Sequence, residues 1–236
     1  MPLSPARAIA LRVFRYALHF DGVDDYVSVP DSPSLRPQFF TISLWISSLE
    51  TRTDDRTPLS KFISTAVPYA SYLIHQYKGL LTFGTGDTGD VWDRLDVGVD
   101  LFTKWDNVVA VYDGSYKVLY LNSSELARKA YTRTIKYEAQ PLYLACWYPG
   151  LQQWSGRIAQ VLIHNRALSP SERQWNYNCP HNPVRNGLVL WLYAHPDYVK
   201  DIDGDGVLEW IDLSGHGNHG KIYGARLVEL IKPPAR

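Results

Sequence analysis

The sequence predicts an all-β protein, an antiparallel β-sandwich with one short helix, and three observations carry that prediction. Short runs of alternating or β-branched residues recur at intervals of roughly 8–12 residues, with turn chemistry between them. Hydrophobic residues make up 45 % of the chain and aromatics 13 %, enough for a substantial core. The 236 residues suit one large sandwich or two small domains.

Residues 1–15 are read as an N-terminal arm, because Arg7, Arg12 and Arg15 interrupt its apolar stretches and leave no continuous core of a secretion signal. Expected strands then follow at 16–20, 26–29, 40–46, 71–75, 80–83, 107–112, 117–121, 141–145 and 157–163. Asp113-Gly114-Ser115 joins two of them as a hairpin turn, since Gly114 accepts the positive φ such a turn demands. Ser169-Pro170-Ser171-Glu172 opens the one helix: a Ser cap, Pro at the first helical position and Glu at the third form a capping box. The turn-rich stretch 179–186 leads to a buried strand at 187–192. Residues 212–220 are a glycine-rich loop, and 221–231 add one last strand. The organisation expected is thus an arm (1–15), a sandwich (16–179) and a return segment (180–236) that completes the same sandwich.

The return segment holds the most specific motif. In Asp201-Ile202-Asp203-Gly204-Asp205-Gly206-Val207-Leu208-Glu209-Trp210-Ile211-Asp212, carboxylates stand at positions 1, 3, 5, 9 and 12 of a twelve-residue calcium loop. Gly206 fills the sharp turn at position 6, and Val207 at position 7 offers its carbonyl oxygen. Calcium takes roughly 6–8 oxygens at about 2.3–2.6 Å, which alternate residues of such a loop supply. Asp201, Asp203, Asp205, Val207, Glu209 and Asp212 are therefore the candidate ligands of a Ca2+ ion, with Leu208 anchoring the loop to a core. An Asp/Gly-rich solvated turn is the alternative reading of the same residues. Strand on one side and glycine-rich turn on the other make the loop a structural clasp rather than a helix–loop–helix switch.

Charge excludes some functions. Lys plus Arg and Asp plus Glu both number 24, so no overall field draws the chain to nucleic acid. No apolar run approaches the roughly 18 residues of a membrane-spanning helix. Cys146 and Cys179 leave one disulfide or two free thiols equally open. One Met and 15 Pro are compatible with selection for heat resistance.

Several segments resemble one family. Residues 17–30, with Phe20-Asp21-Gly22, followed by Phe40-Thr41-Ile42-Ser43-Leu44-Trp45, are similar to the opening of laminin-G-like jellyrolls of the concanavalin A-like lectin/glucanase superfamily. Residues 105–114 resemble the middle hairpin of that family, and 156–169 its closing strand. The resemblance implies a jellyroll, and it places a strand like 187–192 and a loop like 212–220 ahead of the Phe-Asp-Gly signature; here both come last. Pro5-Ala6-Arg7 also reappears as Pro234-Ala235-Arg236, as in a register-shifted or permuted unit, or by chance. The family also implies a calcium near Phe-Asp-Gly, but the closing strand carries Ala159 and Gln160 where two carboxylates would be expected. Asp21, Asp24 and Asp25 are accordingly turn-capping residues or, alternatively, a second metal site.

Retaining glucanases of this superfamily use paired carboxylates on one strand, and no Glu-x-Asp-x-x-Glu run occurs. The chain is expected to bind rather than catalyse, with glycosidase activity kept as a minor alternative. Trp147, Tyr148, Trp154 and Trp92, in turns with Gln152 and Gln153, are the candidate ligand-binding aromatics, since a sugar's apolar face packs on a ring. The expected function is recognition of a glycan or glycosylated partner outside a cell, on its surface or on a virion. The alternative is a structural subunit that self-associates through its C-terminal segment.

Overall fold

The computed structural model describes residues 14–49, 55–99, 101 and 104–230. Both copies of the Pro-Ala-Arg repeat and most of the N-terminal arm lie outside these residues. The first half of the chain forms β1 (Tyr16–Asp21), β2 (Tyr26–Val29), β3 (Phe40–Ser48), β4 (Arg56–Phe62), β5 (Ala70–Tyr77), β6 (Leu80–Gly86), β7 (Trp92–Gly98) and β8 (Asp106–Tyr112). There follow β9 (Tyr116–Leu121), β10 (Ser124–Ala130), β11 (Leu142–Leu144), β12 (Ser155–His164) and helix α1 (Pro170–Asn178). The return segment contributes β13 (Leu188–Tyr193), β14 (Val199–Lys200), β15 (Glu209–Trp210), β16 (Gly220–Tyr223) and β17 (Arg226–Glu229).

These strands make two antiparallel sheets, the sandwich the sequence predicts. Sheet A runs β10-β9-β8-β3-β12-β1-β17, and sheet B runs β14-β15-β16-β2-β11-β4-β5-β6-β7. Between them lies one core, to which β3 sends Phe40, Ile42, Leu44 and Ile46 at the two-residue spacing of a strand. The outer side of β3 is covered too: Trp45 stacks on Tyr177 of α1 at 5.6 Å from Phe14 and 5.4 Å from the tyrosine ring. That is why all nine residues of β3 are buried. Helix α1 starts as its sequence demands, with the Ser169 hydroxyl accepting from Glu172 N and the Glu172 carboxylate from Ser169 N.

The return segment closes its own sandwich. β12 pairs with β3 along one side; on the other, β1 takes residues 155–158 and β13 takes residues 160–164. The expected single strand over 221–231 is instead two, with residue 231 outside the described part: β16 pairs with β2 in sheet B, and β17 pairs with β1 in sheet A. The chain changes sheets at Gly224, where φ is +72° and a Cβ would run into Asp25. Strands β4, β7 and β10, and the short β14 and β15, are not among the expected ones. Both cysteines are free thiols, Cys146 buried and Cys179 partly so.

Candidate functional site

Tyr72 and Ile74 of β5 enter the core, so Leu73, His75 and Tyr77 face outward from sheet B. Register sets Thr82, Gly84 and Gly86 of β6 opposite Asp96, Arg94 and Trp92 of β7. With Asp55, Tyr69, Trp147 and Gln152 from the adjoining loops, this face forms an open groove of about 530 Å3.

Rings build its upper wall. Tyr69 stands edge-on to Trp92 at 5.8 Å and to Trp147 at 5.5 Å, and Trp147 meets Tyr148 at 5.5 Å. A Cβ on Gly84 would lie 2.3 Å from the Trp92 ring, so glycine is what lets that indole lie against the sheet. In the sequence Trp147 and Tyr148 share one turn region and Trp92 lies in another; the fold joins them through Tyr69.

The polar lining is fixed in advance. The Thr57 hydroxyl donates to Gln152 Oε1 at 3.1 Å and lies 2.9 Å from His75 Nδ1, which ties both side chains to β4. Burial, reinforced by Arg94, brings the His75 pKa down to about 4, so the ring is neutral at neutral pH. Arg94 lies 4.1 Å over the Tyr77 ring and forks onto Asp96 at 2.8 and 3.2 Å, which offsets its charge. Among the described residues, Asp55 is the carboxylate that lines the groove.

Trp154 does not belong to this surface. Its ring is 1 % exposed in the main core, its amide donates to Ala145 O at 2.7 Å, and Gly156 makes room for the indole. His75, Tyr77, Thr82 and Arg94 carry no turn signal because they sit on strand faces, and Tyr69 lies in the loop just ahead of β5. The outward series Leu73, His75, Tyr77 was the signal available in the sequence.

The acidic loop lies elsewhere, at the tip of the β14–β15 hairpin. Asp201 accepts from Gly204 N at 2.7 Å and Gly206 N at 3.0 Å, while Asp203 and Asp205 cap the amides of Asp205 and Val207. Gly204 and Gly206 take the positive φ that the motif requires. Carboxylate oxygens of Asp201, Asp203 and Glu209 come within 4.8 Å of one another. Oxygens bound to one calcium are at most about 5 Å apart, so these three have the spacing of calcium ligands and supply three of the roughly 6–8 oxygens the ion takes. Glu209 is the buried member and accepts from Ile202 N at 2.9 Å. Lys221 pairs with Asp203 at 3.1 Å and also with Asp205.

Two expectations about the loop are corrected. Asp212 turns away from it: its carboxylate accepts from Trp191 N, Ser214 N, Ser214 Oγ and Asn218 N at 2.7–3.0 Å, which uses its lone pairs to moor the glycine-rich loop to β13. Leu208 anchors no core and is 46 % exposed. At the other acidic cluster, Asp21 accepts from Val23 N and Asp25 from Asp21 N, both at 2.8 Å, so these residues cap the turn. Oxygens of Asp21, Asp24 and Asp25 also converge within 4.8 Å.

Two facing antiparallel sheets, one covered by a short helix and the other carrying an aromatic groove, define a lectin-type β-sandwich. The family model described as Concanavalin A-like lectin/glucanases superfamily, Laminin_G_3, matches residues 21–172, and the chain belongs to that family. No curated protein matches the sequence significantly. Among solved structures, a candidate carbohydrate binding protein from Bacteroides ovatus aligns at TM-score 0.71 and 18 % identity, over 94 % of this chain and 62 % of that one. This chain thus spans less than two thirds of that protein. A Trypanosoma rangeli sialidase in complex with sialic acid aligns at TM-score 0.54 and 16 % identity, over 70 % of this chain and 28 % of that one. The structure of botulinum neurotoxin type C, whose cell entry depends on two ganglioside molecules, aligns at 0.51 and 13 %, over 65 % and 39 %. At these identities the likeness is one of fold.

Proposed function

We propose that this protein is a non-catalytic recognition module that binds a glycan or glycosylated partner in the groove of sheet B, outside a cell or at a particle surface. The observation that carries this reading is the ladder of Trp92, Tyr69 and Trp147 beside a neutral His75 and an ion-paired Arg94. Aromatic rings supply stacking area, and neutral polar groups orient hydroxyls without demanding a charge. Hydrolysis by paired carboxylates needs two such groups about 5–9.5 Å apart; among the described residues Asp55 is the carboxylate lining the groove, and nearby Asp96 is taken up by Thr82 and Arg94. The solved structures described as carbohydrate binding or ganglioside dependent support the class of ligand.

Glycan-array binding tests it. Trp92→Ala and Trp147→Ala should each weaken binding by about 2 kcal/mol, roughly thirtyfold, with the fold retained by circular dichroism. Undiminished binding in both variants would overturn the groove assignment, and release of reducing sugar from a bound glycan would overturn the non-catalytic reading.

In the same reading Asp201, Asp203 and Glu209 hold one calcium, assisted by Asp205 and the Val207 carbonyl, and the ion stiffens the return segment. Lys221 shares these carboxylates, so calcium competes with its ammonium. Calcium at a hundredfold excess over its dissociation constant should stabilise the protein by about 2.7 kcal/mol, visible as a higher melting temperature. Asp203→Ala and Glu209→Gln should abolish that shift; a wild-type protein indifferent to both calcium and chelator would remove the metal.

A further inference from the structure

A second cavity opens on the opposite side of the molecule, against the outer face of sheet A. It measures about 200 Å3 and is lined by His181, Trp191, Tyr193, His195, Tyr198 and Leu213. All six residues lie beyond residues 21–172, the part that matches the family model. The strand period creates it: Leu190 and Leu192 of β13 enter the core, which leaves Trp191 and Tyr193 on the outer face.

The walls are braced from several directions. Arg185 stacks 4.1 Å over Trp191 and donates to Leu213 O at 3.3 Å. His195 stands edge-on to Tyr16 at 5.5 Å, contacts Tyr198 at 5.6 Å, and accepts from Asp197 N through Nδ1 at 3.2 Å. Tyr198 is fixed by its backbone, which donates to His195 O at 2.9 Å and accepts from Ile211 N at 2.8 Å. Such bracing lowers the ordering cost of binding.

Size and chemistry select the ligand. The volume equals that of roughly seven waters at about 30 Å3 each, and falls below the ~300 Å3 at which sites for drug-sized molecules begin. None of the six described lining residues is Asp, Glu, Lys or Arg; the full charges beside them are of opposite sign, Arg185 on Trp191 and the Asp197 carboxylate 3.3 Å from His195 Nδ1, so the wall as a whole favours neither a cation nor an anion. With Arg185 already over Trp191, a cationic ligand would also meet repulsion there. What remains is a neutral ring with one apolar face for the aromatics and a polar edge for the histidines and tyrosines. We propose that this cavity is a second binding site, for a single neutral saccharide ring, independent of the groove on sheet B. A protein with sites on opposite faces joins two glycans that one glycan chain could not bring together.

Methyl glycosides of glucose, galactose, mannose and N-acetylglucosamine, titrated into the full chain and followed through the tryptophan indole resonances, test this directly. Trp191→Phe assigns the signal to follow. At least one glycoside should shift the Trp191 resonance, both in the wild type and in a Trp92→Ala/Trp147→Ala variant. Tyr198→Ala, which keeps both backbone hydrogen bonds, should weaken that response at least tenfold and leave the Trp92 signal in place. Absence of a Trp191 shift with all four glycosides, or a response unchanged by Tyr198→Ala, overturns the proposal. The groove is judged separately by the Trp92 and Trp147 resonances, so either site can fail while the other stands.

Discussion

Lys117 is fully buried, yet its ammonium reaches from β9 across to sheet B, where it meets the Asp93 carboxylate at 2.5 Å, Asp93 O at 2.9 Å and Thr85 Oγ1 at 3.2 Å. Burial works against both charges. Asp93 is still held below its usual range, because Lys117 and Lys129 both face it. Lys117 has Asp93 as its main compensating carboxylate, with Asp96 a weaker one and Lys129 opposed, and its pKa falls from 10.5 to about 8. Below about 8 both folded and unfolded chains hold the proton. Between about 8 and 10.5 the unfolded chain keeps a proton that the folded chain has released, so this group's contribution to stability rises with pH across that window, against the fall contributed by buried Cys146, whose thiol pKa is pushed up by burial. The rise from this group is at most roughly 3 kcal/mol. Urea midpoints at the two ends of the window should change more favourably in the wild type than in Lys117→Met; an equal change in both would remove Lys117 as the cause. Tyr131, 4.7 Å from the ammonium, has its own pKa raised to about 12 and so stays protonated throughout. Single residues also mark the limit of sequence reading. Trp147 and Trp154 are seven positions apart in one aromatic, amide-rich turn, and only the fold shows that one lines a groove and the other fills the core. Likewise Glu209 and Asp212 look equivalent as loop carboxylates, but the hairpin pairing of Lys200 with Glu209 turns Glu209 into the loop and leaves Asp212 to bind β13.

Elements with strong local signals were legible. The helix announced itself through Ser169, Pro170 and Glu172, and the Glu172 carboxylate, held near a pKa of about 2 by Arg166 and then by the cap itself, ties the helix start to the end of β12. Ser169→Ala should cost about 1 kcal/mol in urea denaturation, since the Glu172 amide loses its acceptor. A loss below a few tenths would mean that the Arg166–Glu172 pair sets this end unaided. The β8–β9 hairpin was equally readable, with Asp113 Oδ1 accepting from Ser115 N and Tyr116 N around Gly114. The missed strands lack such signals. β4 contains Pro58, β7 alternates Trp92, Arg94 and Asp96 on its outer face, and β10, Ser-Glu-Leu-Ala-Arg-Lys-Ala, is made largely of good helix formers. Pairing with a neighbour decides their conformation, and pairing is not a local property. The groove is built largely on β5, β6 and β7, which is why its aromatic turns were visible and its floor was not.

At the scale of the whole molecule, the sandwich and its family were legible because motifs in order at residues 17–30, 105–114 and 156–169 constrain the fold more than any strand run does. The fate of the return segment was not, since whether β13 pairs with its own β12 is a question of tertiary contacts. Its solution brings β17 beside β1. β17 lies against β1 with Glu229 opposite Tyr16, Leu230 N donates to Arg15 O at 2.7 Å, and Arg15 pairs with Glu229 at 2.8 Å. This neighbouring pair of ends has a mechanical consequence. Tension applied between Tyr16 and Glu229 would load the antiparallel β1–β17 pair from the end at which both strands leave the sheet. The hydrogen bonds would then open one after another, like a zipper, instead of sharing the load in shear. A tether fixed at these two points would peel β17 away while the groove on sheet B stayed intact.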